Sequence, residues 1–169
     1  MTDLPPVLDV CCGPRGFWYN KQDARALYND IRSETHTVKD VSKKSGTRAI
    51  SINPDTQHDF TNLPFPDETF FHVVFDPPHL EKVGDSGWLS KRYGKLKEGW
   101  RGEIRLGFSE CFRVLKPMGT LIFKWNETDI VLSEILKLTD KKPLYGHISG
   151  KHSKTHWVAF IKEVEDDRS

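Results

Sequence analysis

"FFHVVFDPPH", residues 70–79, decides how this chain is read. Phe70 to Phe75 is an almost continuous apolar run, the pattern of a strand buried on both faces. Pro77 and Pro78 cannot donate to a sheet ladder, so the strand stops where they begin. It stops on a carboxylate, Asp76, two stiff residues and an imidazole, His79. A polar turn is one use of such an ending and a lip over a ligand is the other. The flanking chain decides between them.

Toward the N-terminus, Val7–Val10 reads as a first strand, entered from Pro5-Pro6 and followed by a small-residue loop, Cys11 to Gly16. Ala26–Asp30 reads as a second strand, leaving room for a turn or two of helix between them. His36 to Ile52 holds two β-leaning pieces around Ser42–Gly46, a hairpin pattern. Beyond the lip, residues 81–103 are rich in glycine and charge and read as a long loop or irregular insertion. Ile104, Gly107, Phe108, Cys111, Phe112 and Leu115 recur at helical spacing, and Pro117 and Gly119 stop that helix. Leu121–Trp125 reads as a strand and Thr128–Leu138 as a helix. Pro143–Ile148 and Thr155–Lys162 read as two strands around Gly150. The alternation predicts an α/β fold: one minimal domain over residues 1–169, with a mostly parallel sheet and an antiparallel C-terminal hairpin.

A chain of 169 residues, 37% apolar and 29% charged, is ordinary for one water-soluble domain. The net charge of +1 excludes whole-chain attraction to phosphate, so a nucleic-acid partner requires a local patch. No apolar run approaches a membrane span, and Met1–Pro6 lacks the pattern of a signal peptide. Three cysteines, two of them adjacent, make a poor disulfide framework, so a reducing cytoplasm is expected. His147, His152 and His156 lie near one another, but no cysteine or clear carboxylate completes a zinc set, and no metal is expected.

In open α/β sheets, ligands sit beyond the carboxyl ends of the strands. Four such places in this chain carry carboxylates: Asp9, Asp30, Asp59 (followed by Phe60) and Asp76. The series suggests one extended ligand touched several times. A small-residue loop after the first strand lets backbone approach a ligand closely. Asp30, 21 positions after Asp9, suits the two hydroxyls of a ribose. The loop reads C-C-G-P-R-G and lacks the G-x-G-x-x-G that a pyrophosphate wants, which favours a nucleoside ligand without phosphates.

"LDVCCGPRG", Asp30, "HDF", "NLPFPDETFFHVVFDPPH" and "FSECFRVLKPMGTLIF" together resemble class I S-adenosylmethionine-dependent methyltransferases, from Val7 to about Phe123. "NLPFPD" with "RVLKPMG" resembles the small-molecule branch. "LDVCCG" with "DPPH" resembles the amino-group methyltransferases of nucleic acids, whose signature is Asp/Asn-Pro-Pro-Tyr/Phe/Trp. "CCGPRGFWYNKQ" through "VVFDPPHL" is similar to short methyltransferases of bacteriophages and prophages. The resemblance implies a Rossmann-like fold and S-adenosyl-L-methionine as cofactor. It implies that Asp9 braces the cofactor loop, that Cys11, Cys12, Gly13 and Gly16 approach the methionine moiety, and that Asp30 binds ribose. It implies adenine contacts at Asp59 and Phe60. Asp76, Pro77, Pro78 and His79 become the catalytic lip, where the acid and a proline carbonyl accept from the target amino group. The fourth residue then stacks on the base. Two departures stand out. His79, titratable near neutrality, replaces the usual aromatic, and Arg15 stands where glycine is common.

The expected reaction is therefore methyl transfer to an exocyclic amino group of a nucleic-acid base, adenine N6 first. A small-molecule methyltransferase is the alternative, and a non-catalytic binding module on the same fold the third reading. Cys11 and Cys12 read as small residues packing a tight loop rather than as nucleophiles. The segment from Glu81 to Arg105 holds seven basic residues against four acidic ones, with Trp88, Tyr93 and Trp100 interleaved. That combination suits single-stranded or flipped bases, and it marks Trp88, Lys91, Arg92, Tyr93 and Trp100 as candidate substrate contacts on a lid over residues 81–103.

Overall fold

The run Phe70–Phe75 is an interior strand of a six-stranded sheet in the computed structural model, which describes residues 4–85, 87–150 and 152–164. Met1–Asp3, the start of the segment read for a leader, and Ser86 of the 81–103 stretch lie outside the described residues. In chain order the elements are β1 (Val7–Asp9), β2 (Ala26–Tyr28), β3 (Glu34–Lys39), β4 (Thr47–Ile52), β5 (Phe70–Phe75), α1 (Trp88–Tyr93), α2 (Trp100–Val114), β6 (Leu115–Asn126), α3 (Leu132–Leu136), β7 (Tyr145–Ile148) and β8 (Thr155–Ile161). The sheet runs β2-β1-β5-β6-β8-β7, and β3-β4 form a separate antiparallel hairpin. β2, β1, β5 and β6 are parallel, while β8 pairs antiparallel with β6 and β7. From β1 the chain goes to β2 on one side and then to β5 on the other. That reversal opens a crevice at the carboxyl ends, where such folds bind ligands.

Side chains alternate across a sheet, so register sorts the residues by face. Leu27, Leu8, Val73, Leu121 and Phe160 form one cross-strand row. This face carries α2 and α3 and the larger core, with Phe75, Phe108, Phe112, Phe123 and Trp125. The neighbouring row, Tyr28, Asp9, Val74, Ile122, Ala159 and Tyr145, belongs to the opposite face. There the chain that follows β1 supplies the cover: Trp18 packs on Tyr28, and Phe17 packs edge-on against Trp157 at 5.3 Å.

Several boundaries differ from the sequence expectation. No helix forms over residues 10–25, because Gly13, Pro14 and Gly16 break it and the turns are held by Arg15, whose guanidinium donates to the carbonyls of Lys21 and Asn53. Within residues 81–103, expected to be loop, α1 forms and α2 begins at Trp100 rather than Glu103, after Gly99 in the left-handed region at φ 80°. β6 starts directly after α2 and passes through Pro117 and Gly119, so those residues mark a helix-to-strand switch and not a loop. α3 is shorter than the Thr128–Leu138 pattern, and β7 starts two residues after Pro143. α2 sits close on the sheet because Gly107 has no side chain: a Cβ there would lie 2.6 Å from Phe75 and 2.8 Å from Phe60. No helix among the described residues is long and apolar enough to cross a membrane.

Candidate active site

A cavity of about 240 Å³ lies at the carboxyl ends of β1, β2, β5 and β6. The loop after β1 forms its floor. Gly13 takes φ 49°, a conformation that disfavours a side chain, and its N–H donates to Asp30 Oδ2 at 2.9 Å. The loop is also pinned by the Cys12 N–H, which donates to the Asn29 carbonyl at 2.8 Å. Arg15 adopts φ 53°, and its guanidinium lies 3.7 Å over the Tyr28 ring, which offsets the cost of a left-handed arginine. Burial pushes the thiols of Cys11 and Cys111 well up and that of Cys12 to about 12, so none is a ready nucleophile.

Asp9 lies beneath the lining, wholly buried. Its Oδ2 accepts from the Trp18 indole N–H at 2.7 Å, and Oδ1 has no donor among the described residues. Burial raises this carboxyl to about 7, against the indole hydrogen bond that lowers it. Asp30, 4% exposed, lines the cavity and also accepts the Arg32 N–H on Oδ1 at 2.9 Å. Arg32 in turn donates to the Lys91 carbonyl at 3.0 Å, which ties α1 to the end of β2.

The third wall is set by Asn29, which sequence reasoning passed over. Its amide donates to the Val10 and His58 carbonyls at 3.0 Å, and its Oδ1 accepts from the His58 N–H and the Thr56 hydroxyl. His58 and Phe60 are thereby brought to the cavity, but Asp59 is not. Asp59 is exposed, with Oδ1 accepting both the N–H and the hydroxyl of Thr61 at 2.8 Å, a local turn that points it elsewhere. This departs from the adenine contact expected of it.

The lip closes the cavity. Asp76 Oδ2 accepts from Lys124 Nζ at 2.8 Å, with both side chains about one-seventh exposed. Burial pushes the Asp76 carboxyl up and Lys124 pulls it back. Lys124 was missed from sequence, although β5–β6 register carries the signal: Phe75 pairs with Phe123, so the next residues, Asp76 and Lys124, stand side by side. The ammonium also lies 5.5 Å and 5.7 Å from the Phe17 and Trp157 rings. His79 is buried, and burial followed by Lys124 pushes it down to about 4. It is therefore neutral at pH 7, not titrating there as the sequence suggested. Its ring lies 5.4 Å from that of Tyr93, which α1 brings to the cavity beside Arg92.

The other candidate substrate residues lie apart from the lining. Trp88 is exposed, Lys91 contributes its carbonyl to Arg32, and Trp100 is a core residue, 5% exposed, with Arg101 4.3 Å over its ring. Its place in the core, outside the cavity lining, removes Trp100 from the stacking role expected of it. No cluster of three His, Cys, Asp or Glu side chains suited to a metal occurs among the described residues.

No family model and no curated protein matches the chain. Solved structures do. The chain resembles the PH0226 protein of Pyrococcus horikoshii at 17% identity, over 93% of this chain and 81% of that one, with a TM-score of 0.55. An S-adenosylmethionine-dependent methyltransferase of Methanosarcina mazei matches at 13% identity over 98% and 95%, with a TM-score of 0.56. A TehB-like S-adenosylmethionine-dependent methyltransferase of Corynebacterium glutamicum matches at 11% identity over 97% and 83%, with a TM-score of 0.54. The fold is thus the α/β fold of solved S-adenosylmethionine-dependent methyltransferases.

Proposed function

We propose that this chain is an S-adenosylmethionine-dependent methyltransferase acting on an exocyclic amino group of a nucleic-acid base, adenine N6 in particular. The observation that supports this most is a single cavity joining the glycine loop and Asp30 to the Asp76–His79 lip. Its residues fit the cofactor. Asp30 keeps lone pairs for ribose hydroxyls, Ile31 and Phe60 offer apolar faces to an adenine, and Gly13 and Gly16 present bare backbone to the methionine part, with the Arg92 guanidinium the nearest side chain to Gly16. Buried Asp9 Oδ1 lacks a donor directly below. Asp59 is left out of this set. When bound, S-adenosylmethionine supplies an electrophilic methyl group on sulfur.

The chain's own residues position the nucleophile. Lys124 fixes Asp76 through Oδ2, so Oδ1 is left to accept an N–H of the target amino group, with the Pro77 carbonyl for the other. Burial makes Asp76 a stronger base than an ordinary carboxylate, suited to take the proton the nitrogen loses. Neutral His79 and Tyr93 together offer planar faces to a base lifted from its stack. Tyr93 thus supplies the large aromatic face that the tetrapeptide itself lacks. The free thiols of Cys11, Cys12 and Cys111 fit a reducing compartment such as the cytoplasm.

The test is transfer of labelled methyl into DNA, RNA and a metabolite extract, with label expected in nucleic acid as methylated adenine. Asp76→Ala is expected to lose transfer by about 100-fold or more through misplacement of the amine. S-adenosylhomocysteine at about 100 Kd is expected to stabilise both proteins by about 2.7 kcal/mol. No stabilisation would remove the enzyme reading and leave the binding module. A second reading, a small amine substrate, is favoured by "NLPFPD" with "RVLKPMG", the pattern that resembles the small-molecule branch. Label confined to the metabolite extract would establish it in place of the first.

A further inference from the structure

A second groove, of about 550 Å³, adjoins the cavity and shares Gly13, Pro14 and Arg92 with it. It runs between the loop after β1 and strand β4, and its walls carry Arg15, Lys21, Lys43, Arg48 and Arg92 with no acidic side chain. In a chain of net charge +1, five cations around one groove are a local concentration that composition does not predict. Two of the five are engaged: Arg15 lies 3.4 Å from Asp55, and Arg48 pairs with Asp40 at 2.7 Å. Lys21 and Lys43 are exposed and make no ion pair among the described residues. Arg92 borders both spaces, with its Nε buried and unpartnered among the described residues. Its Nη2 lies 3.0 Å from where a Cβ on Gly16 would stand.

The hairpin that forms one wall contributes little else. Only Ile50 and Ile52 of β3 and β4 are buried, and neither strand joins the central sheet. The groove has no aromatic lining, whereas the cavity beside it has Phe17, Phe60, His79 and Tyr93. Cations without aromatics suit phosphates, and aromatics beside an acid suit a base.

We infer that this groove holds the sugar–phosphate backbone of a single-stranded nucleic acid next to the nucleotide whose base enters the cavity. The inference rests on the nucleic-acid reading above and adds where the strand runs: past the β3–β4 hairpin rather than only along residues 81–105. Lys21 and Lys43 contact phosphates without reading sequence, and Arg92 marks the corner between backbone and base.

The test uses the full chain with saturating S-adenosylhomocysteine and fluorescent single-stranded DNA and RNA of one mixed sequence. Probes of about 20 nucleotides exceed a typical single-strand footprint. Anisotropy titrations from about 50 to 200 mM salt give affinity and its salt slope. For Lys21→Glu/Lys43→Glu, binding is expected to weaken by about tenfold or more, and the slope of log K against log salt to shrink by about 1.4, near 0.7 per lost phosphate contact. Thermal protection by S-adenosylhomocysteine is expected to stay unchanged, which excludes misfolding. Lys141→Glu/Lys142→Glu, with the same charge change elsewhere, is expected to bind as the parent does. If the two double variants bind equally well, the groove assignment is overturned while the nucleic-acid substrate stands. If the parent binds neither probe and labels only the metabolite extract, the substrate reading falls and the groove with it.

Discussion

The two faces of the sheet are built by different means. One face is sealed by α2 and α3 through a continuous aromatic and aliphatic core. The other is covered near the site by an irregular chain that rests on Trp18, Phe17 and a small cluster of Cys12, Ala26 and Tyr28. The first face buries apolar area and carries the stability. The second carries polar atoms that burial penalises: Asp9 with an orphan oxygen, and the Asp76–Lys124 pair. Separating them keeps the buried polar atoms where the apolar core does not depend on them.

Substitutions can break or sharpen that contrast. Phe123→Ala on the helical face should cost about 3–5 kcal/mol, which at about 2–4 °C per kcal/mol is a large fall in Tm by thermal melt. Gly107→Ala should cost about 1–3 kcal/mol, since Phe75 and Phe60 must move. Trp18→Phe, on the other face, removes a donor from Asp9 and should cost about 1–2 kcal/mol. A loss from Trp18→Phe as large as that from Phe123→Ala would abolish the division.

A contrast of another kind appears in stability against pH. Asp9 is raised to about 7 in the fold from about 3.9 unfolded. Its contribution is full below the unfolded value and is lost as pH rises toward 7. His79 is lowered to about 4 from about 6.5 unfolded. Its contribution is full above the unfolded value and is lost as pH falls toward 4. The two slopes oppose each other between about pH 4 and 6.5. Relative to the parent, Asp9→Asn should gain stability as pH rises through that window, and His79→Gln should gain as pH falls through it. Denaturant midpoints at several pH values measure both, and parallel curves for all three proteins would contradict the assigned shifts.

What sequence made legible follows the same contrast. β1, β2, β5 and β8 came through because apolar runs bounded by Pro, Gly and Asp are local signals, and Asp30 and the Asp76–His79 segment at two of their ends line the cavity. α1 did not, since six residues following glycines and charges have no periodicity to detect. Lys124, Asn29 and Arg32 act across strands and loops far apart in sequence, and only register or tertiary hydrogen bonds reveal them. Asp59 was misplaced for the converse reason: a two-residue side-chain turn redirected an acid whose strand-end position was otherwise apt.

The hydrogen bonds at Asp30 bear on timing. The carboxylate proposed to grip the ribose also accepts from Arg32, and Arg32 holds the carbonyl of Lys91 in the helix that delivers Arg92 and Tyr93. Under the proposed function, one acid serves both the cofactor and the roof over the acceptor. That link predicts an ordered cycle under this proposal, with cofactor bound before the acceptor. Isotope-trapping experiments on substrate order would read that clock directly.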